Sequence, residues 1–283
     1  MKSKNKVSIL MTIYNHQRYL EKSIKSIIRQ SHGNWELIAC ENGSTDNSKN
    51  LLKKFKDKRI KKFFLKKNIG RTNCLNYALD KAKGEYIAIL DSDDVAMPNR
   101  LAKQINYIKK KKIVLVGTWF SRIDRNGKII QKLKYRMKKS FYIRKILFFN
   151  TIGHSTIMFK KNIINKIGKY PSNFKFMQDY AFFLKVYKKF KIGIIENNLT
   201  NCRYHHSNSE TFRVSNSYLI ENEQKKLLHW SKESFNFNIF EFFFFYYSLL
   251  KLKFKMLKKF FFITHKPVRR GGRVVEGARL ESV

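Results

Sequence analysis

Asp91-Ser92-Asp93-Asp94 stands directly after the wholly apolar run Tyr86-Ile-Ala-Ile-Leu90. Carboxylates crowded in this way repel one another unless a cation or solvent separates them. Hard divalent cations prefer oxygen ligands, and Mg²⁺ commonly takes one or two carboxylates together with substrate phosphates. Read by itself, the run is equally an acidic turn capping the helix that begins near Pro98. The apolar lead-in favours chemistry, because it sets the carboxylates at the end of a buried strand. Asn15 and Glu41 also follow apolar runs.

The elements that must hold these residues alternate. Residues 7–14, 35–40, 60–65 and 86–90 read as strands, and 17–30, 45–55 and 72–81 read as helices, with Leu20, Ile24, Ile27 and Ile28 at helical spacing. Near-continuous apolar strands alternating with helices predict an α/β fold with a mostly parallel sheet covered on both faces. Such sheets take ligands outside the carboxyl ends of their strands, which is where the polar residues stand. The basic residues 1–6 lead into the first strand without a small-residue cleavage site, so a buried strand is expected there rather than a signal-peptide core. Further on, helices are expected over 101–108, 140–149, 161–167, 179–190 and 218–231. Strands are expected over 113–119, 156–159, 192–195 and 201–205, with 127–133 as a hairpin partner.

Val7-Ser-Ile-Leu-Met-Thr-Ile-Tyr-Asn15, Glu41-Asn-Gly-Ser-Thr-Asp46, Asn68-Ile-Gly70, Leu75-Asn-Tyr-Ala-Leu79 and Gly84-Glu-Tyr-Ile-Ala-Ile-Leu-Asp-Ser-Asp-Asp94 stand in this order, followed by Pro98 and Leu101. Together they resemble the nucleotide-sugar-binding half of a family 2 inverting glycosyltransferase with the GT-A fold. His154-Ser-Thr-Ile-Met-Phe159, Ile167-Gly168, Gln178-Asp179 and Arg203-Tyr-His205 resemble its acceptor half. The resemblance covers residues 6–210. It implies a Rossmann-like, mostly parallel central sheet flanked by helices. Residues 1–100 would bind the nucleotide sugar and 101–210 the acceptor, within a catalytic domain of 1–210, and 211–268 would form a helical extension.

The resemblance also implies roles. Ile13, Tyr14 and Asn15 would line the nucleotide pocket, and Glu41 would contact the base. Asp91, with Ser92 beside it, would face the ribose or sugar, and Arg71 would contact an anion. Asp93 would be the main ligand of a divalent metal, Mg²⁺ or Mn²⁺, and His205 would approach the metal or the diphosphate. Asp179 matches the catalytic base. The donor would be a nucleotide-diphosphate sugar, a UDP-sugar in the first instance. The acceptor would be a hydroxyl of a glycan or lipid-linked glycan in cell-surface polysaccharide synthesis. An inverting transfer needs a base for that hydroxyl and charge stabilisation for the leaving diphosphate, and no covalent enzyme intermediate. A non-catalytic nucleotide-sugar-binding scaffold is the competing expectation, although a scaffold could lose Asp179 freely.

Three positions depart from the family pattern. Thr12 stands for a proline, Glu41-Asn42 for a pair of aspartates, and Gln178 for a glutamate before Asp179. The last change removes a like charge beside the expected base.

The chain has 283 residues, with 60 Lys plus Arg against 20 Asp plus Glu, a formal net charge of +40. Apolar residues at 43% exclude a disordered polyelectrolyte. The cations are 45 Lys to 15 Arg, among many Asn, Ile, Phe and Tyr, the residues of A- and T-rich codons. Genome composition is thus expected to account for much of the excess and anionic partners for the rest. No nucleic-acid-binding module or Arg-rich face accompanies the charge. Cys40, Cys74 and Cys202 are odd in number and widely spaced, which excludes a disulfide framework and suits a reducing cytoplasm. Cys40 and Cys74 are expected to be buried, His154 to bond locally, and His205-His206 to be either a structural pair or a metal contact.

Residues 240–263 are dense in Phe, Tyr and Leu and are then interleaved with Lys. Their apolar part is short of the roughly 20 residues of a membrane span, and the spacing is not cleanly amphipathic. The segment either lies in an anionic membrane interface, at the inner face of the plasma membrane, or packs on the catalytic domain. Residues 269–283 hold four Arg, three Gly and no Lys. They back-translate readily to the 5′ half of a bacterial serine transfer-RNA gene, so a read-through tail is expected there.

Overall fold

Val7–Ile13 (β1) is apolar at most positions because both its faces are covered. It pairs in parallel with Trp35–Glu41 (β2) on one side and Tyr86–Ile89 (β4) on the other, and Ile60–Phe64 (β3) extends the parallel set beyond β2. The other strands are Val95–Ala96 (β5), Leu115–Ile123 (β6), Ile129–Lys132 (β7), Met158–Lys160 (β8) and Ile192–Arg203 (β9). This computed structural model describes residues 5–132, 143–204 and 217–264. Within them the sheet order is β3-β2-β1-β4-β8-β6-β9-β5, with β7 paired to β6. Only β5, β7 and β8 run against the rest, so the sheet is mostly parallel.

Helices cover both faces: Leu20–Ile28 (α1), Ser48–Lys54 (α2), Arg71–Lys81 (α3), Arg100–Lys111 (α4), the single turn Ile164–Ile167 (α5) and Gln178–Lys189 (α6). The pleat turns Val7, Ile9, Met11 and Ile13 toward Leu20 and Ile24 of α1, Leu52 of α2 and Leu101 and Ile105 of α4. Leu10, Ile38 and Cys40 face the other way, against Cys74, Leu75 and Ala78 of α3, in a core shared with Phe182 and Phe183 of α6. Cys40 and Cys74 are buried, as their patterns predict. Ser217–Ser234 (α7) and Ile239–Thr264 (α8) follow the sheet, and no helix among the described residues is long and apolar enough to cross a membrane.

Two connections set up the site. β8 runs antiparallel to β4, so its entry lies beside the exit of β4 and brings the 3-10 turn His154–Thr156 next to Asp91. β9 runs parallel to β6, and its far end pairs with β5, which brings Arg203 to the Asp93–Asp94 turn. Here the structure corrects the sequence reading: 192–195 and 201–205 are not separate strands, since Ile192–Arg203 is one strand. Its register against β6 slips on either side of Trp119, and the polar pair Glu196-Asn197 bulges into solvent there instead of ending the strand. Of the helix expected over 140–149, residues 140–142 lie outside the described residues, Ile143 and Arg144 are helical, and the 3-10 stretch Lys145–Leu147 follows them. His205, His206 and 269–283 lie outside the described residues.

Candidate active site

The exit of β1 is shaped by Asn15, whose φ of +54° is in the left-handed region that asparagine tolerates. Its Oδ1 accepts from the backbone N–H groups of Thr45 (2.9 Å) and Asp46 (3.4 Å), and its own N–H donates to Ser44 Oγ at 3.1 Å. Asn15 thereby ties the loop after β2 to the end of β1. Tyr14 beside it is exposed, whereas Ile13 is fully buried, so Ile13 supports this edge from below. Glu41 is also buried at the end of β2, and its Oε1 accepts from the Ser44 N–H.

Asn42 joins this loop to the one before α3. Its Nδ2 donates to Asn68 Oδ1 at 2.9 Å while its Oδ1 accepts from the Ile69 N–H at 3.0 Å. Asn68 Oδ1 accepts from the Gly70 N–H as well, at 2.8 Å. Gly43 has φ +70°, and a Cβ there would stand 2.6 Å from the Lys67 carbonyl carbon, so only glycine allows the two loops to approach this closely.

Asp91 follows β4. Its N–H donates to Ser155 Oγ at 2.9 Å, and its carboxylate takes both oxygens to Arg71, the first residue of α3, at 2.7 and 2.8 Å. Burial pushes the Asp91 carboxyl up, but the Arg71 charge and hydrogen bonds outweigh it and hold the group below its usual range. Arg71 in turn is raised, chiefly by the charge of Asp91, with Asp179 and Asp93 adding to it. His154 Nδ1 lies 3.3 Å from the same Arg71 nitrogen, and His154 Nε2 lies 3.2 Å from the Tyr170 hydroxyl. Guanidinium can only donate, so Nδ1 is the acceptor and Nε2–H points to Tyr170. Burial keeps His154 below its ordinary pKa, in keeping with that neutral form. The local bonding expected for His154 is therefore wrong: its partners are 83 and 16 residues away.

Ser92 is fully buried. Its hydroxyl donates to the Thr12 carbonyl at 3.0 Å and accepts from His16 Nδ1 at 2.6 Å, so it braces the turn from inside and does not reach the surface. Asp93 is half-buried at the turn, and its carbonyl accepts from Arg203 Nε at 2.9 Å. Asp94 is buried with Oδ1 accepting from the Arg203 N–H at 2.7 Å; burial and the charges of Asp93 and Asp91 push it well above the carboxylate range. Beneath the turn, Arg100 is fully buried and donates to the carbonyls of Ile89 (2.8 Å) and Ile157 (3.1 Å), locking the exit of β4 to the entry of β8. Burial pushes its pKa down to about 10.

Asp179 stands in the first turn of α6, half-buried. Its Oδ1 accepts from the Tyr180 N–H at 2.7 Å and its Oδ2 from Asn150 Nδ2 at 3.1 Å. Its charge acts on Arg71, His154 and Tyr170, which brings this distant carboxylate into the field of the β4 edge. α3 joins the two halves: Arg71 faces Asp91, while Asn76 exchanges hydrogen bonds with the backbone of Tyr170 at 2.8 and 3.1 Å.

The sequence model of glycosyl transferase family 2 matches residues 8–168, more than half of the chain. The chain belongs to glycosyl transferase family 2. It is 35% identical over 221 residues to the O-antigen biosynthesis glycosyltransferase WbnJ of Escherichia coli, covering 75% of this chain and 84% of that one. It is 32% identical over 228 residues to the E. coli UDP-Glc:alpha-D-GlcNAc-diphosphoundecaprenol beta-1,3-glucosyltransferase WfgD, covering 78% and 82%. Among solved structures it is similar to S. aureus TarS 1-349 in complex with UDP-GlcNAc, with a TM-score of 0.61 and 19% identity over 79% of this chain and 70% of that one. In a longer TarS structure the likeness covers 39% of that chain. The protein is a glycosyltransferase with a GT-A type α/β fold.

Within this family 2 chain, the structure gathers Asn15, Arg71, Asp91 and Asp93 along the carboxyl edge of the sheet, with Asp179 acting on the same Arg71. Ile13, Glu41 and Ser92 lie beneath that edge as buried supports. Sequence reasoning missed Glu223 of α7, whose Oε1 accepts from the Lys175 N–H (2.8 Å) and whose Oε2 accepts from those of Phe176 (3.0 Å) and Met177 (2.9 Å). One carboxylate thus caps the three residues that lead into Gln178-Asp179. No local pattern announces it, because its partners lie 46 to 48 residues earlier. The roles of Tyr170 and Asn150 also arise only from long-range contacts.

Proposed function

We propose that this glycosyltransferase moves a sugar from a nucleotide-diphosphate donor, a UDP-sugar in the first instance, to a hydroxyl of a glycan or lipid-linked glycan by a single inverting displacement. One observation carries the reading: Arg71 pairs with Asp91 after β4 at 2.7 and 2.8 Å, and Asp179 at the start of α6, far off in the chain, adds its charge at the same guanidinium. A donor bound along the β4 edge would then have the Asp179 carboxylate in the same site for the acceptor hydroxyl.

In this reading Asp179 removes the proton of the attacking hydroxyl, with Asn150 and the Tyr180 N–H orienting its two oxygens. Asp91, held ionised by Arg71, faces the ribose or sugar, and Tyr14 and Asn15 form the nucleotide end, with Ile13, Ser92 and the buried Glu41, which sequence reasoning expected to contact the base, behind them. Arg71 keeps its anion-binding role through its charge, although Nη2 is already engaged by Asp91.

With Asp91 held by Arg71 and Asp94 buried, Asp93 is the carboxylate of the turn that would hold a divalent cation, Mg²⁺ or Mn²⁺. Among the described residues no three His, Cys, Asp or Glu side chains converge on a point, and a site built on Asp93 with diphosphate and water oxygens is the pattern Mg²⁺ favours. His205 is the candidate second protein ligand. When bound, such an ion stabilises the charge on the leaving diphosphate.

The names of WbnJ and WfgD support cell-surface polysaccharide synthesis and a lipid-linked acceptor, and the UDP-GlcNAc held by TarS supports a uridine nucleotide. The enzyme would then work in the cytoplasm, peripheral to the inner face of the plasma membrane. Thermal melts with UDP, GDP and dTDP and their sugars, each with and without Mn²⁺, test the reading, since a ligand that binds the native state raises its apparent stability. Asp93→Ala is expected to remove the metal-dependent part of the shift. Absence of a shift with every nucleotide would overturn the proposal.

A further inference from the structure

α8 is apolar on both its faces. Its N-terminus is firmly placed: the N-cap Asn238 and Glu241 cap each other reciprocally, Asn238 N–H to Glu241 Oε2 at 2.9 Å and Glu241 N–H to Asn238 Oδ1 at 3.0 Å. Glu241 is further ion-paired with Arg144, which anchors the helix to the segment after the sheet's hairpin. The face turned inward carries the buried Glu241, Phe245, Ser248 and Leu252, flanked by Phe244 and Leu249, which pack against the core.

The face turned outward carries Ile239, Phe240, Phe243, Tyr246, Tyr247 and Leu250, at i, i+1, i+4, i+7, i+8 and i+11. Their exposures run from 54% to 75%. A helix lying on a globular protein in water has one apolar stripe, against the core, and a polar outer face; α8 has a second apolar stripe in place of that polar face. Six large apolar side chains in one stripe, over three helical turns, exceed the scattered exposed residues that need no explanation. The segment that reads as poorly amphipathic in sequence thus has an ordered apolar face in the structure, and that face points away from the protein.

We propose that this face of α8 is the protein's docking surface for an anionic lipid bilayer, lying in the plane of the headgroups. Three observations select lipid. The helix is too short in apolar length to span a membrane, so it can only lie in the interface. Two of the six residues are tyrosines, whose rings suit the apolar layer while their hydroxyls reach water. The helix then runs directly into Lys251, Lys253, Lys255, Lys258 and Lys259, in a chain of net charge +40. Such a basic flank is complementary to anionic headgroups. A second copy of the chain would present the same cations and repel. The proposal deepens the reading of a lipid-linked acceptor given above, but it is read out by binding, so it can fail while glycosyl transfer stands.

The full chain is sedimented with vesicles of phosphatidylcholine alone and of phosphatidylcholine with about one third phosphatidylglycerol, at low and high salt. Binding to the anionic vesicles, weakened by salt, is expected. Phe243→Gln is expected to weaken it about tenfold, and Phe240→Gln combined with Phe243→Gln and Tyr247→Gln to abolish it. Because these side chains are exposed, the variants are expected to melt as the parent does; the single variant serves if the triple one does not fold. Equal binding by parent and variants overturns the proposal, as does absence of binding to anionic vesicles. Conversion of a dimeric parent to monomeric variants in sedimentation velocity, without vesicle binding, overturns it in favour of a second copy.

Discussion

A single nitrogen of Arg71, Nη2, reaches both carboxylate oxygens of Asp91, at 2.7 and 2.8 Å, and lies 3.3 Å from His154 Nδ1. Asp91 is thereby kept ionised and its carboxylate turned to a fixed orientation at the end of β4. Lysine at this position keeps the charge but not the planar, branched donor set. Arg71→Lys is expected to retain the fold and lower kcat/KM about 10–100-fold, through loss of that orientation. Arg71→Met is expected to cost a further about 1–3 kcal/mol of stability, toward the low end because the pair is partly exposed. Steady-state kinetics on donor hydrolysis, with thermal melts alongside, check both.

Asp179 makes its contacts through its carboxylate oxygens alone, to Tyr180 N–H and Asn150 Nδ2. Asp179→Asn preserves size and can keep one of those contacts. Transfer is expected to fall about 10²–10⁴-fold, the range of general-base catalysis, while the nucleotide-induced thermal shift is unchanged. A variant that transfers at the parental rate would remove Asp179 from the mechanism.

Glu223 accepts three successive backbone N–H groups from 175–177, directly before Asp179. Glu223→Ala leaves those donors without their acceptor and is expected to lower kcat more than it raises KM for the donor. Glu223→Gln retains one acceptor oxygen and is expected to recover part of kcat. A purely structural role predicts instead that activity follows the melting temperature in both variants. Comparing the two variants at a temperature where both are fully folded separates these outcomes.

His154 is buried and neutral, and burial lowers its pKa below the ordinary 6.5. In the unfolded chain it protonates below that value, so the unfolded state binds more protons there. Stability is therefore expected to fall as pH drops through about 6.5, until the native histidine also protonates. Glutamine can accept from Arg71 and donate to Tyr170 without titrating. His154→Gln is expected to show a smaller loss of melting temperature across the same interval.

The parallel half of the fold was legible because its rules are local. β1, β2 and β4 are apolar runs broken by polar residues at their carboxyl ends, and Asn15, Asp91 and Asp93 stand where that pattern puts them. What escaped was long-range. β9 is one strand although Glu196-Asn197 reads as a break, because its pairing with β6 carries it through the bulge. That Ile13, Glu41 and Ser92 are buried beneath the edge escaped as well, since a pattern of types cannot tell which side of an edge a side chain takes. Glu223 and Tyr170 depend on which segments pack together, and neither carries a local mark.

The Asn42 amide donates to Asn68 and accepts from Ile69, while Asn68 Oδ1 also receives the Gly70 N–H. An aspartate at residue 42, the type usual in the family, has no proton to give. Turning the Asn68 amide to supply one would take its oxygen away from Gly70. Residues 42 and 68 are therefore a matched key and lock: a chimaera that imports the aspartate pair from a relative must import the relative's loop before α3 with it. Exchanging either segment alone would leave the loop after β2 and the loop before α3 without their shared hydrogen bonds in an otherwise intact sheet.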